Sequence, residues 1–365
     1  MKYIDGFRLG DAGKFLGKRI RENALTLSKS HAPISIMEVC GSHTMAISRF
    51  GIRDVLPENV KLLSGPGCPV CVTDAGYIDA ALELARRDVI IATFGDMVRV
   101  PGSSQSLSDA RSEGADVRVC YSPSQALEFA AENPSREVVF MAIGFETTMA
   151  PVTTLIPSAI GMGLENLSLL TAFKLVPPAL SALIADPEVK VDAFICPAHV
   201  SAIIGANAYR PYVENHGVPC VVCGFEPLDI LYGIDNIVSQ FLEGKRLLVN
   251  QYNRVVRDEG NAAAQSLFHR YLMPVDAGWR GIGIIPKSGL GIRAEFEKYD
   301  AAKRFGVSTM GGAPDPGCMC GDVLKGKIVP AECPMFGEAC TPSHPVGPCM
   351  VSSEGSCAAH YKYER

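Results

Sequence analysis

The sequence has no hydrophobic run long enough to cross a bilayer. Its longest weakly polar stretch, Ala150 to Leu164, is interrupted by Pro151 and Pro157 and is too short for a spanning helix. The opening segment, MKYIDGFRLGDAGKFLGKRIRENA, lacks the apolar core of a secretory leader. A basic stripe is also missing: 34 Lys and Arg are mixed among 39 Asp and Glu, for a formal net charge of -5. The electrostatic footprint of a nucleic-acid binder is therefore absent. These absences predict a soluble, cytoplasmic chain whose partners include neither membrane nor nucleic acid.

Apolar residues make up 47% of the 365, enough for about two or three domains. Residues Asp11 to Lys29 read as a helix with Phe15, Leu16, Ile20 and Leu27 on one face. Short apolar runs then alternate with helical patterns. The first series of strands is Ile34–Val39, Val60–Ser64, Asp88–Phe94 and Asp116–Cys120. The second is Glu137–Ile143, Leu167–Phe173, Asp192–Cys196 and Pro219–Phe225. Such alternation implies parallel sheets. The expected fold class is α/β, with two parallel-sheet domains facing a cleft. The first covers residues 1–130 with the N-terminal helix, the second 131–255, and a C-terminal segment 256–365 follows. Gly144-Phe145-Glu146 and Gly224-Phe225-Glu226 give a faint echo between the halves. After about Gly311, Gly, Pro and Cys dominate and periodicity is lost. That segment needs cross-links or a metal to hold a shape.

Ligands of open parallel sheets collect at the C-terminal ends of the strands, and the polar motifs fall there. Cys40-Gly41-Ser42-His43-Thr44 follows the first strand, and Gly65-Pro66-Gly67-Cys68-Pro69-Val70-Cys71 the second. Cys40 precedes a helix, whose dipole favours a thiolate; the alternative is a small buried residue ending a strand. His43 could add positive charge or a second ligand, or serve only as a structural hydrogen-bonding group. Cys68 and Cys71 form a Cys-x-x-Cys in the setting of a redox pair, the alternative being half of a zinc site. Cys120, Cys220 and Cys223 read as core. Asp96, Glu146, His199, Glu226 and Asp229 are ionisable groups at strand ends, each also a candidate cap or turn residue.

Thirteen cysteines are unusual for a cytosolic chain and point to metal or redox chemistry. Six fall in the tail as C-x-C-x12-C-x6-C-x8-C-x7-C, at Cys318, Cys320, Cys333, Cys340, Cys349 and Cys357. Four thiolates suffice for a [4Fe-4S] cluster or a zinc. Four ligands beside a spare pair would resemble ferredoxin:thioredoxin reductase. Two zincs completed by His344 and His360 remain an alternative on spacing alone.

The motifs CGSHT, GPGCPVCVT, TFGDMVRVPGS, GFETT, CPAHVS and CGFEP, with the cysteine-rich tail, occur in one order along the whole chain. In this the sequence resembles the HypD family of [NiFe]-hydrogenase maturation proteins. The resemblance implies two Rossmann-like domains plus an iron-sulfur cluster domain, and a scaffold for the Fe(CN)2(CO) unit. It implies a stable complex with HypC, an iron held at Cys40, and transient cyanide delivery from HypE. HypF, which supplies HypE, and the hydrogenase large subunit would be indirect partners. It further implies a catalytic group of Cys40, His43, Cys68, Cys71, Asp96, Glu146, His199 and Glu226. Cys318, Cys333, Cys340 and Cys357 would hold a [4Fe-4S] cluster and Cys320 with Cys349 would form a redox pair, although the reductase analogy favours Cys349 as fourth ligand. The rival readings are an iron-sulfur disulfide reductase of the ferredoxin:thioredoxin reductase type, which gives Cys40 no role, and a zinc-stabilised binding module.

Overall fold

The computed structural model describes residues 10–29 and 33–364. Residues 1–9, part of the segment read for a missing leader, lie outside them. None of the described helices is long and apolar enough to cross a membrane.

The N-terminal helix α1 spans Gly10–Leu27 and buries Leu16, Ile20 and Leu27. Phe15 lies outside the buried stripe and is exposed, against expectation. The helix packs on a later helix, Pro227–Leu242, where the Arg19 guanidinium donates to Asp235 at 2.8 Å. Strands follow as β1 (Ile34–Glu38), β2 (Val60–Ser64), β3 (Ile90–Phe94), β4 (Val117–Cys120), β5 (Val138–Gly144), β6 (Leu167–Phe173), β7 (Ala193–Pro197), β8 (Cys220–Cys223) and β9 (Leu248–Asn250). The last two, β10 (Leu272–Trp279) and β11 (Gly283–Ile292), form an antiparallel hairpin.

Two parallel sheets are present, as the alternation of apolar runs implies. One is ordered β2-β1-β7-β8-β9 and the other β4-β3-β5-β6. Their division of the chain differs from the expected 1–130 and 131–255. The chain leaves the first sheet after β2, builds the second from β3 to β6, and returns at β7, where Ile36 pairs with Ala193. Periodicity marks a strand but carries no information about its partner, so a contiguous split was the default reading. The boundary at 256 also shifts. Leu272, Leu290, Ile292 and Tyr299 pack with Phe140 and Phe173 on the second sheet, whereas Ala277, Trp279 and Ile285 of the same hairpin join the core that holds the tail. The cysteine-rich tail packs instead into a core shared with Met37, Val39, Phe145, Cys196 and Trp279, which draws on both sheets.

Each sheet reverses its strand order between its first and third strands in the chain, the doubly wound pattern. The crevice at such a switch point lies between β1 and β7 in the first sheet, and between β3 and β5 in the second.

Candidate functional site

Cys40 emerges from β1 at the first of these crevices, as the N-cap of helix α2 (Gly41–Arg49). Its thiol makes no cap hydrogen bond. Its amide instead donates to Glu38 at 3.1 Å, and the Thr44 hydroxyl donates to the same carboxyl at 2.5 Å. Glu38 is fully buried, and burial raises its carboxyl to about 8 against the pull of those bonds. Sequence reading passed over Glu38, although a carboxylate inside the apolar run ISIMEV was a visible signal.

The thiolate expected at Cys40 is not the resting form. Burial pushes the thiol to about 12, with the charges of Glu354 and Glu38 acting the same way. Loss of hydration outweighs the roughly half charge of a helix terminus. His43 carries no positive charge either: it is fully buried, and burial lowers it to about 4. Its Nε2 donates to the carbonyls of Cys223 and Gly224 at 3.2 and 3.0 Å, which ties α2 to the end of β8. Nδ1 is buried with no hydrogen-bond partner.

Phe225 stands between two histidines, its ring centroid 4.7 Å from His43 and 4.2 Å from the exposed His199. Glu354, from the tail, accepts from the Ser42 hydroxyl at 2.7 Å and acts electrostatically on both Cys40 and His199. Its segment, Ser352 to Gly355, gave no signal in the sequence. Glu226 is half-buried beside Phe225, at the start of helix Pro227–Leu242. Asp229 is a structural lock, gripped by both terminal nitrogens of Arg254 at 2.9 and 2.5 Å.

The Cys-x-x-Cys loop lies on the same site. The Gly67 carbonyl accepts from the Gly41 amide at 2.8 Å, and a Cβ on Gly67 would sit 2.1 Å from the Cys40 nitrogen. Only glycine permits this approach. Cys68 and Cys71, both buried, follow at once. Cys71 lies close enough to Cys68 and to Cys349 for the thiols to act on one another's ionisation. Cys349 stands in the same relation to Cys320, and Cys320 to Cys318. A row of thiols thus runs from beside Cys40 into the tail. Cys120, Cys220 and Cys223 are buried in the strands, as expected of core.

All six tail cysteines line one cavity of about 20 Å3, together with Val323, Met335, Phe336, Gly347 and Met350. No carboxylate or imidazole joins them there, and His360 is occupied elsewhere by Glu364 at 2.8 Å. Among the described residues no three His, Cys, Asp or Glu side chains converge as a site for a single ion. A wall of soft thiols and apolar groups fits the ligand chemistry of an iron-sulfur cluster.

Asp96 and Glu146 belong to the other switch point. Asp96 is exposed on a 3₁₀ turn, Gly95–Arg99. Glu146 is buried and accepts from the Val176 amide at 3.0 Å, with its second oxygen unpaired. Burial raises its carboxyl from an ordinary 4.5 to about 7, opposed by hydrogen bonds from its own amide and that of Val176. Between those values the folded chain holds a proton that the unfolded chain has released. Stability should therefore fall as pH rises through this window. Glu146→Gln should abolish this pH dependence, about 3 kcal/mol across the window, and be the more stable of the two proteins at the higher pH. Urea midpoints of both proteins at about pH 5 and about pH 8 test this; parallel pH dependence would show that Glu146 does not titrate there.

A family model described as "Hydrogenase formation hypA family", under the label HypD, matches residues 15–364, which defines the class as a hydrogenase-formation protein. "Hydrogenase maturation factor HypD" of Azotobacter vinelandii is 46% identical over 100% of this chain and 97% of its own length. The protein of the same name in Escherichia coli K12 is 42% identical over 100% and 99%. A "putative hydrogenase expression/formation protein" of Methanocaldococcus jannaschii is 42% identical over 91% and 92%. The chain belongs to the HypD family of hydrogenase maturation factors.

Proposed function

We propose that this maturation factor is the scaffold on which, in complex with HypC, the Fe(CN)2(CO) unit of a [NiFe]-hydrogenase is assembled. HypE delivers cyanide as a thiocyanate, HypF works upstream of it, and the hydrogenase large subunit receives the finished unit. The observation that carries this reading is the row of thiols from Cys68 to Cys318, which begins against the Cys40 backbone and ends in the six-cysteine cavity.

Cys40 is the ligand offered to the incoming iron, a soft donor suited to a metal carrying cyanide and carbonyl. Iron binding displaces its proton, because metal ligands must be deprotonated. His43, Phe225 and His199 form the wall of the site, and Glu354 closes it from the tail. Reductive release of cyanide from a thiocyanate breaks the S–C bond and needs two electrons and a proton. Cys68 and Cys71, passing from dithiol to disulfide, supply the two electrons and two protons; one proton goes to the sulfur left on HypE and the other to solvent. Cys320 and Cys349 form the second pair, adjoining the first through Cys71.

Cys318, Cys333, Cys340 and Cys357 would hold a [4Fe-4S] cluster, which supplies single electrons when bound. Anaerobically purified protein should be brown, with about four irons and four labile sulfides per chain. Stoichiometric zinc without sulfide would overturn this reading.

A further inference from the structure

Arg280 opens the turn of the β10–β11 hairpin, directly after the buried Trp279. Its amide donates to the carbonyl of Val72 at 2.9 Å, one residue beyond Cys71. The next residue, Gly281 at φ +76°, is pressed against Gly321: a Cβ there would meet the Gly321 Cα at 2.2 Å. Gly321 in turn follows Cys320. Arg280 is therefore set where the Cys68–Cys71 loop meets the Cys318–Cys320 loop.

The side chain is 4% exposed. Its one side-chain hydrogen bond among the described residues runs from Nη1 to the carbonyl of Pro101 at 3.3 Å, and Nε has no partner. No carboxylate among the described residues pairs with it. A guanidinium stays charged, and a buried charge without a partner opposes folding. The side chains nearest its place in the fold are thiols: Cys71 directly precedes Val72, which its amide meets, and Cys320 directly precedes Gly321, against which Gly281 packs.

We propose that Arg280 is the internal counter-cation of an anionic cluster held by the tail thiols, and that it sets the cluster's reduction potential. The proposal rests on the cluster reading given above. A cluster ligated by four thiolates gains further negative charge on reduction. A fixed cation in a water-poor setting favours the reduced state more than the oxidised one. Arg280 transfers no atom and no electron; it acts through charge alone.

The test is a potentiometric titration, followed by electron paramagnetic resonance, of anaerobically prepared full-length wild type, R280M and R280K. The midpoint of R280M should move to a more negative potential, and R280K should lie close to wild type. An unmoved midpoint in R280M, or an equal displacement in R280K, would overturn the proposal. If R280M fails to hold a cluster, labile sulfide in R280K decides: retention there supports a counter-charge, and loss in both refutes it. Wild type without labile sulfide would overturn the cluster reading itself, and the counter-cation with it.

Discussion

Cys40→Ala is expected to fold, to keep its tail cluster and to lose every trace of the assembled iron unit. The thiol sits outside the row that joins Cys68 to Cys318, and its neighbours are Glu38, Glu354 and Cys223 rather than the tail cysteines. Removing it deletes one sulfur from a site already anchored by the Cys40 amide donating to the Glu38 carboxyl and the Gly41 amide donating to the Gly67 carbonyl. The stability loss should stay within about 1–2 kcal/mol, as for a small buried truncation. The functional loss should be complete, because an iron deprived of its thiolate keeps an open coordination position and a weaker hold on the protein. Infrared spectra of the co-purified complex with HypC are the measurement. Wild type should show the bands of bound cyanide and carbonyl, and the variant none, with tail iron and sulfide unchanged. Bands that persist would move the iron elsewhere and revive the reductase reading, in which Cys40 has no part.

Opposite outcomes are expected for two cysteines that lie only eight residues apart. Cys357→Ser should abolish the cluster, whereas Cys349→Ser should leave iron and sulfide in place and sever the thiol row. Cys349 lies between Cys71 and Cys320 and acts on the ionisation of both. Cys357 instead sits in the combined field of Cys318, Cys320, Cys340 and Cys333. That difference favours Cys357 as the fourth ligand. In Cys349→Ser, Cys68 and Cys71 should accumulate as a disulfide that reductant acting through the cluster cannot reopen. Alkylation followed by mass spectrometry would read this as a two-proton deficit at that pair. Maturation of the hydrogenase should stop in both variants. Loss of sulfide in Cys349→Ser with retention in Cys357→Ser would exchange the two roles.

Most strands could be read from the sequence because buried parallel strands are continuous apolar runs. Leu167–Phe173 and Val60–Ser64 match those runs to the residue. Strand partners could not be read, since nothing in ISIMEV says that its neighbour lies beyond residue 190. Motif positions were legible for a related reason: a Cys or His directly after an apolar run has to emerge at a sheet edge. The charge state of Cys40 and His43 was not, because it depends on burial by the tail and by Phe225, far away in sequence. Glu354 and Arg280 escaped notice for the same reason. Each gains its meaning only where three distant loops meet.

The insertion of β3–β6 between β2 and β7 also orders events in time. The second sheet is built from one continuous stretch, Ile90 to Phe173, and can nucleate as soon as that stretch leaves the ribosome. The first sheet must wait for β7 to close across it, a high-contact-order step with a larger loop-closure cost. Glu354 and the tail thiols arrive later still. A nascent chain therefore exposes Cys40 before Glu354 and the tail that cover it have been made.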